Sequence, residues 1–164
     1  MTRLTVLLLA APLLALAQAP STPSKSFAAS FEDVNRRLLA MAKDFPEAKY
    51  EYRATKDVRS FREIVVHVAS GDAYAAKAGR GEKANWDEID PKGYPTKATA
   101  VALLEKCIAD ATATLKATPE TRWAKTVQPW LAVIEHAGEH YGQLVVYYRN
   151  NGMVPPESRQ TANK

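Results

Sequence analysis

The sequence predicts an all-α protein, a four-helix bundle in a single domain. Three observations predict it: apolar residues recur at helical spacing in four segments, capping residues and prolines mark the ends of these segments, and no segment keeps strand-like alternation beyond a few residues. The 164 residues are 46% hydrophobic and 24% charged, which is typical of a globular domain with one core.

The N-terminal sequence MTRLTVLLLAAPLLALAQAP is typical of a secretory signal peptide. Its apolar run, Leu4 to Leu16, is shorter than the roughly 20 residues of a membrane span, and Pro12 interrupts it. We therefore expect a signal peptide over residues 1–17 and no stable membrane anchor. Cleavage after Ala17 is favoured over cleavage after Ala19, which would leave a proline first. The mature protein is expected to be periplasmic or extracellular.

The mature chain is predicted to start with a flexible tether. Residues 18–25 are rich in Pro and Ser, the helical domain is expected over residues 26–159, and residues 160–164 form a tail. Apolar residues at helical spacing predict the first helix over Phe27 to Phe45, and Pro46 ends it.

A capping box opens the second helix. Ser60 can accept a hydrogen bond from a first-turn amide while Glu63 reaches back to the cap. The helix is expected to end near Gly79, with His67 in its middle. Its predicted apolar face consists of Phe61, Ile64, Val65, Val68 and Tyr74.

A long connection, residues 80–96, follows the second helix. It contains two glycines and two prolines, and it is long enough to cross the bundle, so that the third helix can run parallel to the second. The third helix is predicted from Thr96 or Lys97 to Ala117, and it carries the lone Cys107 as a small buried hydrophobe.

The fourth helix is predicted from about Val127 to Asn151, with Pro129 in its first turn, where a missing amide does no harm. Arg149 in its last turn complements the helix dipole, and Gly152 is expected to provide a left-handed cap. The pair Pro155–Pro156 is expected to prevent the helix from resuming.

The charge pattern argues against nucleic-acid binding. Removal of residues 1–17 takes away one basic residue and leaves 21 basic and 18 acidic side chains. These alternate in sequence, as in GEKANWDE, rather than forming a basic run, which predicts a solvated surface of mixed charge.

Two of the three histidines lie in the stretch EHAGEH. His136 and His140 are four residues apart, so both side chains project from one helix face at a spacing that chelates a metal ion. His67, the third histidine, could meet them across the core. From the residues alone, a metal site and ordinary hydrogen-bonded helix histidines both remain open.

Other metal sites fit the sequence less well. His136 to His140 match the H-x-x-E-H motif of inverted zinc proteases, but after His140 the only acidic residue is Glu157, in a Pro-rich tail, so the usual acidic third ligand is missing. A c-type haem lacks its C-x-x-C-H motif, and a di-iron carboxylate site lacks the repeated E-x-x-H.

The stretch EHAGEHYGQLVVYYRNNGMVPPESR resembles the C-terminal signature of the DinB-like family of four-helix metalloproteins, and VRSFREIVVHVASGDAY is similar to that family's second-helix pattern. The resemblance covers roughly Ser26 to Arg159. It implies His67, His136 and His140 as metal ligands, an up-down-down-up bundle, and frequent homodimers. It implies thiol-dependent transferase or isomerase activity in some members and no established activity in many.

Three imidazoles would leave a divalent ion with its full charge and with open positions, which favour an anionic substrate such as a small-molecule thiol. Zinc, nickel, iron and manganese all suit imidazole ligands. A thiol held there would lose its proton and become a nucleophile.

Three polar side chains are candidates to assist this chemistry. Gln143 and Tyr147 lie three and seven residues beyond His140 on the same face, and Tyr74 lies seven beyond His67. Each could instead pack or support an imidazole. Ser70 and Gly71, one turn beyond His67, are small enough to leave space for a ligand.

Two functions follow from the sequence. The first is an exported metal-dependent enzyme that activates a thiol or water for transferase or hydrolase chemistry. The second is a non-catalytic bundle that binds a metal or small ligand in envelope stress or sequestration.

Overall fold

Four long helices account for most of residues 22–161, the part of the chain that the computed structural model describes. They are α1 (Pro23–Asp44), α2 (Phe61–Gly79), α3 (Lys97–Ala117) and α4 (Glu120–Asn150), and a short α5 (Pro156–Thr161) follows. No strand occurs among these described residues, so the all-α prediction is confirmed. Helices α1 and α2 each pack against both α3 and α4. The up-down-down-up order stays a prediction. The signal peptide, residues 1–17, lies outside the described residues.

Helix α1 begins earlier than the sequence pattern predicted. Thr22 is its N-cap and accepts a hydrogen bond from Lys25 N, and Pro23 lies in the first turn, where proline is tolerated. Residues 23–25, which were expected to belong to a flexible tether, are therefore helical. The prediction missed this start because it followed apolar spacing from Phe27 onwards.

The second helix matches its prediction. Ser60 Oγ accepts from Glu63 N at 3.3 Å, and Glu63 Oε2 accepts from Ser60 N at 2.8 Å, which completes the capping box. The long connection is also confirmed: between Gly79 and Lys97 its only regular structure is a 3₁₀ turn at Pro91–Gly93.

Helix α4 begins at Glu120 rather than near Val127, so Pro129 lies inside the helix and not in its first turn. Two buried tryptophans, one on each side of Val127, hold this part of the helix. Trp123 and Trp130 are 7% and 0% exposed, and they pack edge-on against two phenylalanines of α1. This burial holds the first turns in place despite the hydrogen bond that Pro129 cannot donate.

The C-terminal prolines do not prevent further helix, contrary to the expectation. Pro156 is the first residue of α5, a position where its fixed backbone angle suits a helix. Arg159 of α5 pairs with Asp44 at the end of α1, and Glu157 pairs with Arg36 at 2.7 Å. Gly152 has φ of +71°, which is the predicted left-handed cap.

Cys107 is buried as predicted, with 8% of its surface exposed. Burial raises the pKa of its thiol to about 11, so the thiolate that reactivity requires is disfavoured. None of the helices in the described part of the chain is both long and apolar enough to cross a membrane.

Candidate metal centre

Helices α2 and α4 bring the three histidines together. One nitrogen from each of His67, His136 and His140 lies within 4.8 Å of the other two. The Nε2 atoms of His67 and His136 are 2.9 Å apart, and the ring centroids of His136 and His140 are separated by 4.4 Å. Helical spacing alone aligns the pair on α4, whereas the contact with His67 requires the packing of α2 on α4.

The Nδ1 atoms of His67 and His140 each have a hydrogen-bond partner outside the cluster. His67 Nδ1 lies 2.8 Å from Glu88 Oε2, and His140 Nδ1 lies 2.8 Å from Gln143 Oε1. Since both acceptors are oxygens, each Nδ1 carries the proton in a neutral ring, and each Nε2 keeps its lone pair. This tautomer is the one that can ligate a metal through Nε2.

The surroundings of the cluster keep the two histidines of α4 neutral. Burial, together with the charges that His140 and His67 would carry, lowers the pKa of His136 to about 3. Burial also lowers the pKa of His140, against the effect of its hydrogen bond to Gln143. Both rings are therefore unprotonated at pH 7, which is the state that metal binding needs.

The connection between α2 and α3, residues 80–96, covers one side of the cluster. The centroid of the Trp86 ring lies 4.8 Å from that of His136, and Trp86 stacks on Tyr74 at 5.1 Å. Ile89 N donates to Ser70 Oγ at 3.0 Å, which ties the segment to α2. Glu88, beside His67, also lies 3.5 Å from Arg59. The segment therefore contributes both a hydrogen-bond acceptor and an aromatic wall.

Gly71 allows this wall to approach. A Cβ atom at this position would lie 2.7 Å from Trp86 Cζ2 and 3.1 Å from His136 Nδ1. Space for a ligand was expected beside Ser70 and Gly71. Trp86 fills the space beside Gly71, and Ser70 Oγ accepts a hydrogen bond from Ile89 N, so that expectation is wrong. The reason is that a side chain distant in sequence packs there.

The candidate assisting residues lie in different environments. Gln143 contacts His140 directly, as the helical spacing predicted. Tyr147 is 1% exposed and its hydroxyl donates to the carbonyl of Arg59 at 2.5 Å, so this proton is already engaged. Tyr74 stacks on Trp86, which in turn contacts His136. Glu139, between the two histidines of α4, is exposed.

Glu88 and Trp86 were not predicted as site residues. Both lie on the connection between α2 and α3, whose sequence has no periodicity from which a contact could be derived. They can be found only once the path of the segment is known.

The donor set suits a divalent ion. Neutral imidazole nitrogens are good ligands for zinc, nickel, iron and manganese, and three of them leave coordination positions open. Half-buried histidines, two of which are hydrogen-bonded from outside by Glu88 and Gln143, form the arrangement that metal sites in proteins use to orient their ligands.

A protein-family model matches a large part of the chain. The model described as DinB superfamily matches residues 30–144, more than half of the chain and including all three histidines. A search of curated proteins found no match.

Proposed function

The chain belongs to the DinB superfamily, and on this premise we propose that it binds a divalent metal ion through His67, His136 and His140 to activate a thiol or a water molecule. The observation that carries the proposal is the cluster itself, in which one nitrogen from each of three imidazoles on two helices lies within 4.8 Å of the other two. The group contains three histidines and no carboxylate. Three imidazole ligands leave coordination positions open on a metal ion, so this group suits an open metal site better than a structural hydrogen-bond network.

A bound ion would act as a Lewis acid that lowers the pKa of a thiol or water and makes it a nucleophile at neutral pH. The side chains of this protein prepare the site for it. Glu88 and Gln143 fix the tautomers of His67 and His140, and Trp86 excludes water from the outer side of His136.

The charge near the cluster supports an anionic substrate. The positive charge of Arg59 contributes to the lowered pKa of both His136 and His140, so Arg59 adds positive potential at the site. The Arg59 side chain is 49% exposed, so it contacts solvent and also lies 3.5 Å from Glu88. A small thiol with a negatively charged group, used in transferase or hydrolase chemistry, fits these features.

The place of action is also a proposal. The signal-like sequence over residues 1–17 supports export to the periplasm or the cell exterior. Export would separate the protein from cytoplasmic thiols. This favours a second candidate function, a non-catalytic bundle that binds a metal or small ligand in envelope stress or sequestration.

Metal analysis tests the site. Protein purified without an affinity tag should contain close to one equivalent of a divalent ion, and His67→Ala should lower the affinity for zinc at least 100-fold in a chelator competition assay. Gln128→Ala, on an exposed position of α4, serves as the control and should bind like wild type. Equal zinc affinity in wild type and His67→Ala would contradict the proposal.

Turnover separates the two functions. The metal-loaded protein is assayed with a panel of low-molecular-weight thiols and electrophiles, and the loss of a thiol-dependent product in His140→Ala would support the enzyme. The absence of turnover across the panel, with tight retention of the metal, would support the binding protein.

A further inference from the structure

Part of the connection between α2 and α3 lies against the histidine cluster without belonging to a helix. Residues 82–90, which we call the strap, have no regular secondary structure, and none of them is fully buried. A segment with few buried contacts opens at a lower free-energy cost than the packed helices on either side of it. We therefore expect the strap to detach from the bundle while the helices that carry the histidines stay in place.

Two contacts attach the strap to α2 without a histidine. Ile89 N donates a hydrogen bond to Ser70 Oγ at 3.0 Å. The ring of Trp86 stacks on that of Tyr74, with centroids 5.1 Å apart. Neither contact contains a group that can ligate an ion in the cluster, so the strength of both should be independent of metal binding.

Two further contacts join the strap to the cluster itself. Glu88 Oε2 lies 2.8 Å from His67 Nδ1, and the ring centroid of Trp86 lies 4.8 Å from that of His136. The other carboxylate oxygen of Glu88 lies 3.5 Å from Arg59. The carboxylate is thus shared between His67 and Arg59, and how firmly it holds the strap on the cluster depends on how strongly the imidazole donates.

The strength of this donor depends on what the other nitrogen of the ring binds. His67 Nε2 is directed towards the cluster, where it lies 2.9 Å from His136 Nε2. An imidazole that ligates a divalent ion through Nε2 takes on part of the positive charge, and a charged donor forms a stronger hydrogen bond with a carboxylate than a neutral one. The contact between His67 and Glu88 should therefore tighten when the cluster holds an ion.

We propose that the strap is a closing element coupled to the metal site, which closes over the cluster when an ion is bound because His67 Nδ1 then donates a stronger hydrogen bond to Glu88. This inference rests on the proposed metal binding and adds its regulation. Couplings between binding and conformation are reciprocal, so closure of the strap raises the affinity for the ion by the same factor. Opening uncovers the side of His136 that Trp86 covers.

Limited proteolysis of the full-length mature protein measures the position of the strap. Trypsin cleaves after Lys83, an exposed residue of the strap, and this cleavage requires local detachment from the bundle. Saturating zinc should slow cleavage at Lys83 about tenfold, which is within the usual range of couplings between sites. Lys56, exposed on the connection between α1 and α2, is the internal control, and its cleavage rate should not change with zinc.

Two variants that each remove one attachment separate the coupling from simple anchoring. Glu88→Ala removes the contact with His67, and Ser70→Ala removes the acceptor of Ile89 N. Both should speed cleavage at Lys83 in zinc-free protein. At saturating zinc, Ser70→Ala should keep about tenfold protection relative to its own zinc-free form, whereas Glu88→Ala should lose most of it.

Hydrogen exchange provides a second readout, since zinc should also slow exchange of the Ile89 amide in the wild type. Chelator competition on the same samples establishes that zinc is bound. Bound zinc that leaves cleavage at Lys83 unchanged would overturn the proposal, as would equal protection by zinc in Glu88→Ala and Ser70→Ala. A failure of the wild type to bind zinc would instead contradict the metal function, and the coupling would fall with it.

Discussion

His67 Nδ1 on α2 lies 2.8 Å from Glu88 Oε2 on the connection between α2 and α3, so an exposed carboxylate outside the helices orients a half-buried histidine of the cluster. A carboxylate behind a ligating imidazole fixes the ring and raises its basicity, and its loss typically lowers metal affinity about 10- to 100-fold.

We therefore expect Glu88→Ala to weaken zinc binding by about tenfold or more, and Glu88→Gln, which retains an oxygen acceptor but not the charge, to have an intermediate effect. Chelator competition measures both. Glu82→Gln is the control, because Glu82 lies on the same segment but pairs with Arg80 at 2.6 Å. Equal affinities in wild type and Glu88→Ala would show that the contact has no role in binding.

The contact between Gln143 and His140 predicts a related effect on α4. Gln143 Oε1 accepts from His140 Nδ1 at 2.8 Å, and Gln143→Leu removes this acceptor while keeping a side chain of similar size. We expect zinc affinity to fall by about tenfold, and Gln143→Glu to restore it because a carboxylate accepts the same hydrogen bond. If Gln143→Leu lowers turnover and leaves zinc affinity unchanged, Gln143 contacts the substrate rather than supporting His140.

The sequence was informative wherever a signal was local. The capping box at Ser60, the spacing of His136 and His140, and the helix stop at Gly152 all follow from residues within a few positions of each other, and the structure has each of them. The prediction failed where tertiary packing decided. Burial of Trp123 stabilises turns of α4 on the N-terminal side of Pro129, and no local sequence pattern predicts such burial.

The residues of the candidate metal site also fall into those that the sequence predicts and those that it does not. His67 could be proposed as the partner of the pair on α4 because it is the only other histidine of the chain. Glu88 and Trp86 could not be proposed, since their contacts depend on the path of an irregular segment. The error about free space beside Gly71 has the same origin, because a glycine shows that something approaches closely but not whether it is a ligand or a side chain.

The close approach of Trp86 to Gly71 predicts a steric conflict. In Gly71→Ala the new methyl group would lie 2.7 Å from Trp86 Cζ2, so the ring must move, together with the segment that carries Glu88. We expect the free energy of unfolding to fall by about 1 to 3 kcal/mol, as for other overpacked positions. Zinc affinity should fall as well, because His136 Nδ1 is the next nearest atom.

A double-mutant cycle identifies the cause. In the Trp86→Ala background, Gly71→Ala should lower the free energy of unfolding in urea much less than in wild type, because the conflicting ring is then absent. Gly93→Ala, on the same segment with no atom within 4 Å of its Cβ position, is the control for a glycine substitution. If the two substitutions at positions 71 and 86 are additive, their effects do not arise from this contact.

A buried carboxyl group on α2 predicts the pH dependence of stability. Asp72 is 1% exposed, its Oδ1 lies 3.5 Å from Asn35 Nδ2, and its Oδ2 has no partner among the described residues. Burial raises the pKa of Asp72 to about 8, against the opposing effect of Asn35. The folded protein thus keeps a proton that the unfolded chain, with a pKa of about 3.9, releases.

Because the folded state binds the extra proton, this group lowers the free energy of unfolding as pH rises from about 4 to about 8. Asp72→Asn removes the titration, so we expect it to raise that free energy by about 5 kcal/mol at pH 8 and to change it little at pH 4. Urea unfolding at both pH values measures the difference, with Asp110→Asn, an exposed aspartate of α3, as the control. A variant with the same pH dependence as wild type would show that Asp72 is already ionised in the folded protein at neutral pH.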